Sequence, residues 1–292
     1  MTQSGTNGAV TADTSEGTID YVDRGAGPAV LFVHGSPGGS DQGVLMTEFL
    51  VAAGFRVVTP SRPGYLGTPL TGDHVGPDQQ AHLEAALMET LGIDRFGVMC
   101  WSGGGPSSYR LAVNHPDRVS ALVAIAAVSK AYTFAHGIEA TMMSGRLGAW
   151  LVKEMGKHAP KSLVKSTIGE EGDLSKAELK ELTEEIWADD TKRGFVLALA
   201  DTVTYQGRKA GLDNDHAIFP TIDDLQLPLV AAPTLLVHGT VDTDVPPDYS
   251  EYALGAIPGA EIVRVDGGTH IAAWTDPTAD DLHERIAAFL RR

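Results

Sequence analysis

The 292-residue chain is predicted to be an α/β protein: a mostly parallel, doubly wound sheet with an inserted helical cap. Three observations carry that expectation. Short runs of Val, Ile and Leu without polar alternation recur along the chain, as in strands covered on both faces by helices. They alternate with segments of helical periodicity, and the order β-α-β-α implies parallel strands joined by crossover helices. Between about residues 129 and 224 the strands stop and helical periodicity takes over, so a helical insertion interrupts the sheet.

The opening residues, MTQSGTNGAVTADTSE, lack the basic and apolar regions of a secretory signal. Residues 1–16 are therefore expected to form a flexible polar arm. Core strands are predicted at Thr18–Val22, Ala29–Val33, Phe55–Thr59, Phe96–Trp101 and Ala121–Val128, then at Thr234–Val237 and Glu261–Val265. Helices are predicted near Asp78–Leu91, Gly104–Asn114, Asp248–Ala256 and Asp280–Arg291. The domain division that follows is a core of 17–128 and 225–292 with a cap of 129–224. Within the cap, Ser175-x-x-Glu178 is a capping box opening a helix whose Leu179, Leu182 and Ile186 share a face. Met143, Leu147, Trp150 and Leu151 form a second apolar stripe, expected to be cap core. A basic stretch from Arg146 to Lys165 precedes an acidic block from Glu170 to Asp190, which reads as solvated helix face.

Composition narrows the function. There are 22 Lys and Arg against 38 Asp and Glu, a formal net charge of −16, so nucleic acid and anionic membrane surfaces are not expected partners. The longest apolar run, Ala121–Val128, is far short of the ~20 residues that span a bilayer, and a cytoplasmic location is expected. A single cysteine rules out an internal disulfide and a multi-cysteine zinc site. No HExxH or comparable ligand spacing occurs, so the sequence points to no metal site and no cofactor.

The chemistry concentrates at predicted strand ends. Val98-Met99-Cys100-Trp101-Ser102-Gly103-Gly104-Gly105 reads as a buried strand turning sharply into a helix, with Ser102 on the turn. Such a turn strains the serine backbone and leaves room only for small residues two before and two after it, here Cys100 and Gly104. A lone serine is inert; it needs a base for its proton and donors for the oxyanion that forms. His238-Gly239-Thr240-Val241-Asp242 puts a carboxylate after one strand, and Asp266-Gly267-Gly268-Thr269-His270 puts an imidazole after the next. The chain order is Ser102, Asp242, His270.

These motifs resemble the α/β-hydrolase superfamily, from about residue 17 to the C-terminus. His34-Gly35-Ser36-Pro37-Gly38-Gly39 resembles its HGxPG oxyanion loop, and Ser61-Arg62-Pro63-Gly64-Tyr65 its D-x-R-G-x-G loop with a proline inserted. His115-Pro116-Asp117-Arg118-Val119 is another frequent feature of the family. The resemblance implies Ser102 as nucleophile, His270 as base and Asp242 as the acid orienting it. It implies the backbone N–H groups of Ser36 and Gly103 as the oxyanion hole, with no cofactor or metal. The expected partner is a small-molecule acyl substrate, and the expected reaction carboxylic ester hydrolysis through an acyl-enzyme.

Several rivals accompany these assignments. Ser107 and Ser108 fall inside the helix, and Cys100 as a thiol nucleophile would put Val98 in a position too tight for it. Asp244 and Asp266 are weaker choices of acid, and His34 and His238 read as loop-shaping and strand-end residues. Haloalkane dehalogenases and epoxide hydrolases of this fold carry an aspartate where this chain has Ser102. Lactone and carbon–carbon bond hydrolysis remain open. So does an aminopeptidase resembling the proline iminopeptidases, whose HGGPGG loop is similar and whose cap carboxylates hold the substrate amine. A small-ligand receptor of the same fold is the non-enzymatic alternative.

Overall fold

The computed structural model describes residues 8–72, 75–134, 146–204 and 206–292. Eight strands form one sheet in the order β1-β2-β4-β3-β5-β6-β7-β8. They are β1 Val10–Thr14, β2 Gly17–Gly25, β3 Ala29–Val33, β4 Arg56–Pro60, β5 Phe96–Trp101, β6 Val119–Ile125, β7 Thr234–Gly239 and β8 Glu261–Val265. From β4 to β8 every neighbouring pair is parallel, whereas β1, β2 and β4 pair antiparallel at one edge. The seven predicted strands are present to within a few residues at each end.

The central strands are buried on both faces, and their alternation explains how. Val30 and Phe32 of β3, Met99 and Trp101 of β5, and Val123 and Ile125 of β6 pack into one apolar cluster. Their neighbours Leu31, Val33, Val98, Cys100, Leu122 and Ala124 pack into the other. Successive strand side chains point to opposite faces, so a continuous apolar run supplies two cores at once. Each large side chain removed from water contributes about 1.5–3 kcal/mol, which is why these runs fix the fold.

Helices α1 Ser40–Met46, α2 Glu48–Ala52, α3 Pro77–Thr90 and α4 Gly105–Asn114 lie between the strands, with α10 Asp248–Ala256, α11 Ala272–Thr275 and α12 Ala279–Leu290 toward the C-terminus. The insertion between β6 and β7 holds α5 Arg146–His158, α6 Pro160–Glu170, α7 Lys176–Ala188, α8 Asp190–Thr202 and α9 Lys209–Ile218. Val164, Ile168, Ile186, Phe195 and Leu199 of the insertion join the core cluster on one sheet face, so the cap is built onto that core. The capping box is present: the Ser175 N–H donates to Glu178 Oε2 at 2.8 Å, and the Glu178 N–H donates to Ser175 Oγ at 3.3 Å. Ile186 is buried, and Leu179 and Leu182 pack against the same core. No helix among the described residues is long and apolar enough to cross a membrane.

Two expectations need correction. Val10–Thr14, assigned to the flexible arm, is an edge strand paired with β2. Its polar alternation suits a half-exposed edge, and the Thr18 hydroxyl donates to Asp13 Oδ1 at 2.7 Å across the hairpin. Trp150 and Leu151, expected in the cap core, are instead 55% and 45% exposed. Met143 and the side chain of Leu147 lie outside the described residues.

Candidate active site

All six residues of β5 are buried, and the chain leaves that strand through Ser102 with φ of 53°. This left-handed conformation costs a non-glycine residue about 1–3 kcal/mol and persists only where the surroundings enforce it. Here the Val128 N–H holds the Ser102 carbonyl at 3.1 Å, while α4 begins three residues later. A Cβ at Gly104 would stand 2.4 Å from the Val33 carbonyl oxygen, so the turn admits no side chain there. The neighbouring rivals are packed away. Burial pushes the Cys100 thiol up to about 12, which keeps it protonated. The Ser107 hydroxyl donates to Glu84 at 2.9 Å, and the Ser108 hydroxyl donates to the Gly104 carbonyl at 2.8 Å.

The loops after β7 and β8 bring Asp242 and His270 together, with Asp242 Oδ2 2.7 Å from His270 Nδ1. The other carboxylate oxygen accepts the N–H groups of Asp244 and Val245 at 2.9 and 3.0 Å. His238 Nε2 lies 3.0 Å from Asp242 Oδ2 and 2.8 Å from the Val245 carbonyl, and its Nδ1 is 2.6 Å from Ser250 Oγ. Burial alone would raise the Asp242 pKa; the adjacent His270, with the hydrogen bonds from His238 and His270, holds it below the usual carboxylate range. One ring nitrogen of each histidine, His238 Nε2 and His270 Nδ1, therefore faces the same carboxylate oxygen. His238, expected to be a strand-end residue, turns out to brace the acid.

His270 is buried, and Trp101 covers it: the rings are 4.9 Å apart and the indole N–H donates to the His270 carbonyl at 3.2 Å. Burial would lower the imidazole pKa, but Asp242 first, then Asp244 and Glu171, push it up to about 9. Its Nε2 has no hydrogen-bond partner among the described residues, the Ser102 hydroxyl included. Catalytic hydrogen bonds are often long until substrate is bound. Asp244 Oδ2 lies 3.7 Å from the same nitrogen, whereas Asp266 is engaged with Thr240 on the surface.

The third component is the loop after β3. A Cβ at Gly103 would stand 2.1 Å from Ser36 Oγ, so the residues whose N–H groups are expected to form the oxyanion hole are adjacent. The loop is held from behind. His34 Nδ1 lies 2.7 Å from the Gly35 carbonyl, and its Nε2 accepts the Arg62 N–H at 2.9 Å. Burial, reinforced by the Arg62 charge, drives the His34 pKa well below its ordinary value, and the neutral ring can fill both roles. Ser36 is fixed by a network reaching into the cap: its hydroxyl donates to Asp215 Oδ2 at 2.5 Å and accepts from Arg62 Nη2 at 2.7 Å. Arg62 also pairs with Asp215 at 2.7 Å, both side chains 1% exposed, and the Tyr65 hydroxyl donates to Asp215 at 2.5 Å.

The cap meets the site on its other flank as well. The His270 N–H donates to the Glu171 carbonyl at 2.9 Å, the Asp173 N–H donates to the Val241 carbonyl at 2.9 Å, and Gly172 bridges to Asp242. Glu171 thus leaves the solvated acidic face expected of its block. Its carboxyl is pushed up to about 8, by burial first and then by the charge of Asp244. Glu171, Asp215 and Arg62 escaped the sequence reading. Arg62 alone carried a signal, as part of the loop motif.

Comparison with known proteins agrees with this architecture. The alpha/beta hydrolase fold family matches residues 28–277. An alpha/beta hydrolase fold protein from Nakamurella multipartita superposes with a TM-score of 0.93 at 50% identity, covering 97% of this chain and 99% of that one. Pimeloyl-[acyl-carrier protein] methyl ester esterase of Aromatoleum aromaticum is 26% identical over 86% of this chain and 94% of its own. Haloalkane dehalogenase 2 of Mycobacterium bovis is 37% identical over 114 residues, 38% of this chain and 39% of the dehalogenase. The matched stretch thus spans about two fifths of that relative's length. With most of its length matched and its sheet, elbow and inserted helices in place, the chain belongs to the α/β hydrolase fold family.

Proposed function

We propose that this α/β hydrolase is a serine hydrolase that cleaves small or medium acyl esters. Ser102 Oγ attacks the acyl carbon while His270 Nε2 takes its proton; the C–O bond then breaks and the same proton goes to the leaving alcohol. Water, deprotonated by His270, attacks the acyl-enzyme; the acyl C–Oγ bond breaks, the proton passes from His270 to Ser102 Oγ, and the acid leaves. Asp242 holds the Nδ1 proton and stabilises the imidazolium. The N–H groups of Ser36 and Gly103 receive the oxyanion, each worth about 10²–10³ in rate. The observations carrying this reading are the 2.7 Å Asp242–His270 pair and a serine held in a left-handed turn at the end of β5.

One observation favours a second reading. The cap carboxyl of Glu171 stands within 4.8 Å of the His270 and Asp244 ligand atoms, where it could receive a substrate amine, as in an aminopeptidase. A fluorophosphonate probe on wild type and Ser102→Ala, followed by a panel of esters and aminoacyl amides, separates the outcomes. Labelling and ester turnover are expected in wild type and lost in Ser102→Ala. Undiminished hydrolysis in Ser102→Ala overturns the mechanism, and a strong preference for N-terminal prolyl amides selects the second reading.

A further inference from the structure

Three segments far apart in the chain converge at the side of His270 that faces away from Asp242. Glu171 follows cap helix α6, Asp244 sits in the loop after β7, and His270 in the loop after β8. One ligand atom from each lies within 4.8 Å of the others. Nε2 of His270, a residue 1% exposed, has no hydrogen-bond partner among the described residues, and neither does the buried Oε2 of Glu171. Asp244 Oδ2 is 3.7 Å from that nitrogen.

We propose that Glu171, Asp244 and His270 form an inhibitory site for a divalent transition-metal cation of the Zn²⁺ kind. Its inhibitory effect rests on the serine-hydrolase reading; its binding does not. An imidazole with two carboxylates suits zinc, whereas Ca²⁺ and Mg²⁺ take oxygen ligands. Tetrahedral zinc with bonds of about 2.0–2.2 Å sets its ligands roughly 3.3 Å apart, so the Asp244–His270 spacing is already close. The Glu171 side chain must rotate to close the rest, and its Oε2 has no hydrogen bond to break.

Two further features favour an ion here. With Asp242, three carboxyl groups surround one imidazole, an acidic setting that suits a dication. Metal-binding imidazoles also commonly donate their second N–H to a carboxylate, which fixes ring and tautomer. The Nδ1 hydrogen bond to Asp242 supplies that arrangement at 2.7 Å. The Asp244 side chain is 55% exposed, which gives the ion a way in. Once bound, the cation takes the Nε2 lone pair that must otherwise accept the serine proton, and it ties the cap to the core.

The test is calorimetric titration of the chelator-treated full chain with zinc sulfate, beside hydrolysis and fluorophosphonate labelling at the same zinc concentrations. Wild type and Ser102→Ala are each expected to bind one equivalent whose affinity falls at least about tenfold in Glu171→Gln. Asp244→Asn, at a half-exposed position, is expected to do the same and guards against misfolding of the first variant. Zinc held by the surface His82–His115 pair, 3.2 Å apart, is common to all and cancels in the comparison. Zinc is expected to slow both hydrolysis and labelling of wild type, with chelator restoring both, and each variant should need at least about tenfold more zinc relative to its own metal-free rate. The site is overturned if wild type binds no equivalent that both variants weaken, and the inhibitory role is overturned if zinc leaves the rate unchanged or raises it. Zinc binding as expected, with hydrolysis persisting in Ser102→Ala, upholds the site and overturns the serine mechanism.

Discussion

Replacing Asp215 by alanine strikes the point where cap and catalytic loop are joined. The substitution leaves the buried Arg62 guanidinium without its 2.7 Å partner, and removes the acceptor of both the Tyr65 and Ser36 hydroxyls. Breaking one side of a buried pair costs about 3–5 kcal/mol, because an uncompensated charge stays in the interior. At about 2 °C per kcal/mol for a chain of this size, Tm should fall by roughly 6–10 °C. Ser36 loses its anchor at the same time, and a displacement of about 1 Å in a catalytic group typically costs about 10² in rate. Thermal unfolding followed by circular dichroism, with ester hydrolysis measured well below Tm, reads both effects. Arg62→Met combined with Asp215→Leu should recover much of the stability, since apolar residues often replace a buried pair at little cost, but not the rate. A loss under about 1 kcal/mol in Asp215→Ala, or single-variant losses that simply add in the double variant, would refute the reasoning.

Other outcomes follow from the same geometry. Because His270 must be unprotonated to accept the serine proton and its pKa is pushed up to about 9, kcat/KM in chelator-treated buffer should climb through neutral pH, with its inflection near that value and its plateau above it. Glu171→Gln removes one of the charges responsible and should move the inflection to lower pH; a wild-type inflection near the ordinary 6.5 counts against the cluster. Asp242→Asn should lower kcat by about 10⁴, measured with a neutral ester, because the amide favours the wrong tautomer of His270. An equal loss confined to Asp244→Asn would shift the role of acid to that residue. Gly104→Ala drives a Cβ to 2.4 Å from the Val33 carbonyl and should destabilise the chain by at least about 1–3 kcal/mol in urea unfolding, with labelling of Ser102 reduced.

What could be read from the sequence follows from how each feature is encoded. Strands such as Ala29–Val33 declare themselves because both faces are buried, leaving an unbroken apolar run. Ser102 and Asp242 are legible because each follows such a strand within a few residues, and His270 because a glycine loop carries it past the half-buried β8. The edge strand Val10–Thr14 is polar on alternate positions and looks like a tail until β2 is beside it. Arg62 and Asp215 stand 153 residues apart, and no local pattern links a loop arginine to one carboxylate among many in the cap. Glu171 is hidden for the opposite reason: it sits in a run of acids that are mostly solvated, and only the turn after α6 carries it to His270. Trp150 and Leu151 show the converse error, since helical spacing reports a shared face without saying what covers it.

The cap is fastened to the core on both sides of Ser102, by Asp215 against Arg62 and by residues 171–173 against the Asp242 and His270 loops. A lid attached at one edge can swing; one riveted at two cannot do so without tearing a rivet. Lifting the whole cap would part a buried ion pair, and a penalty of 3–5 kcal/mol, about that of breaking such a pair, would leave fewer than roughly one molecule in a hundred open at any moment. Substrate is therefore expected to reach Ser102 without the whole cap lifting.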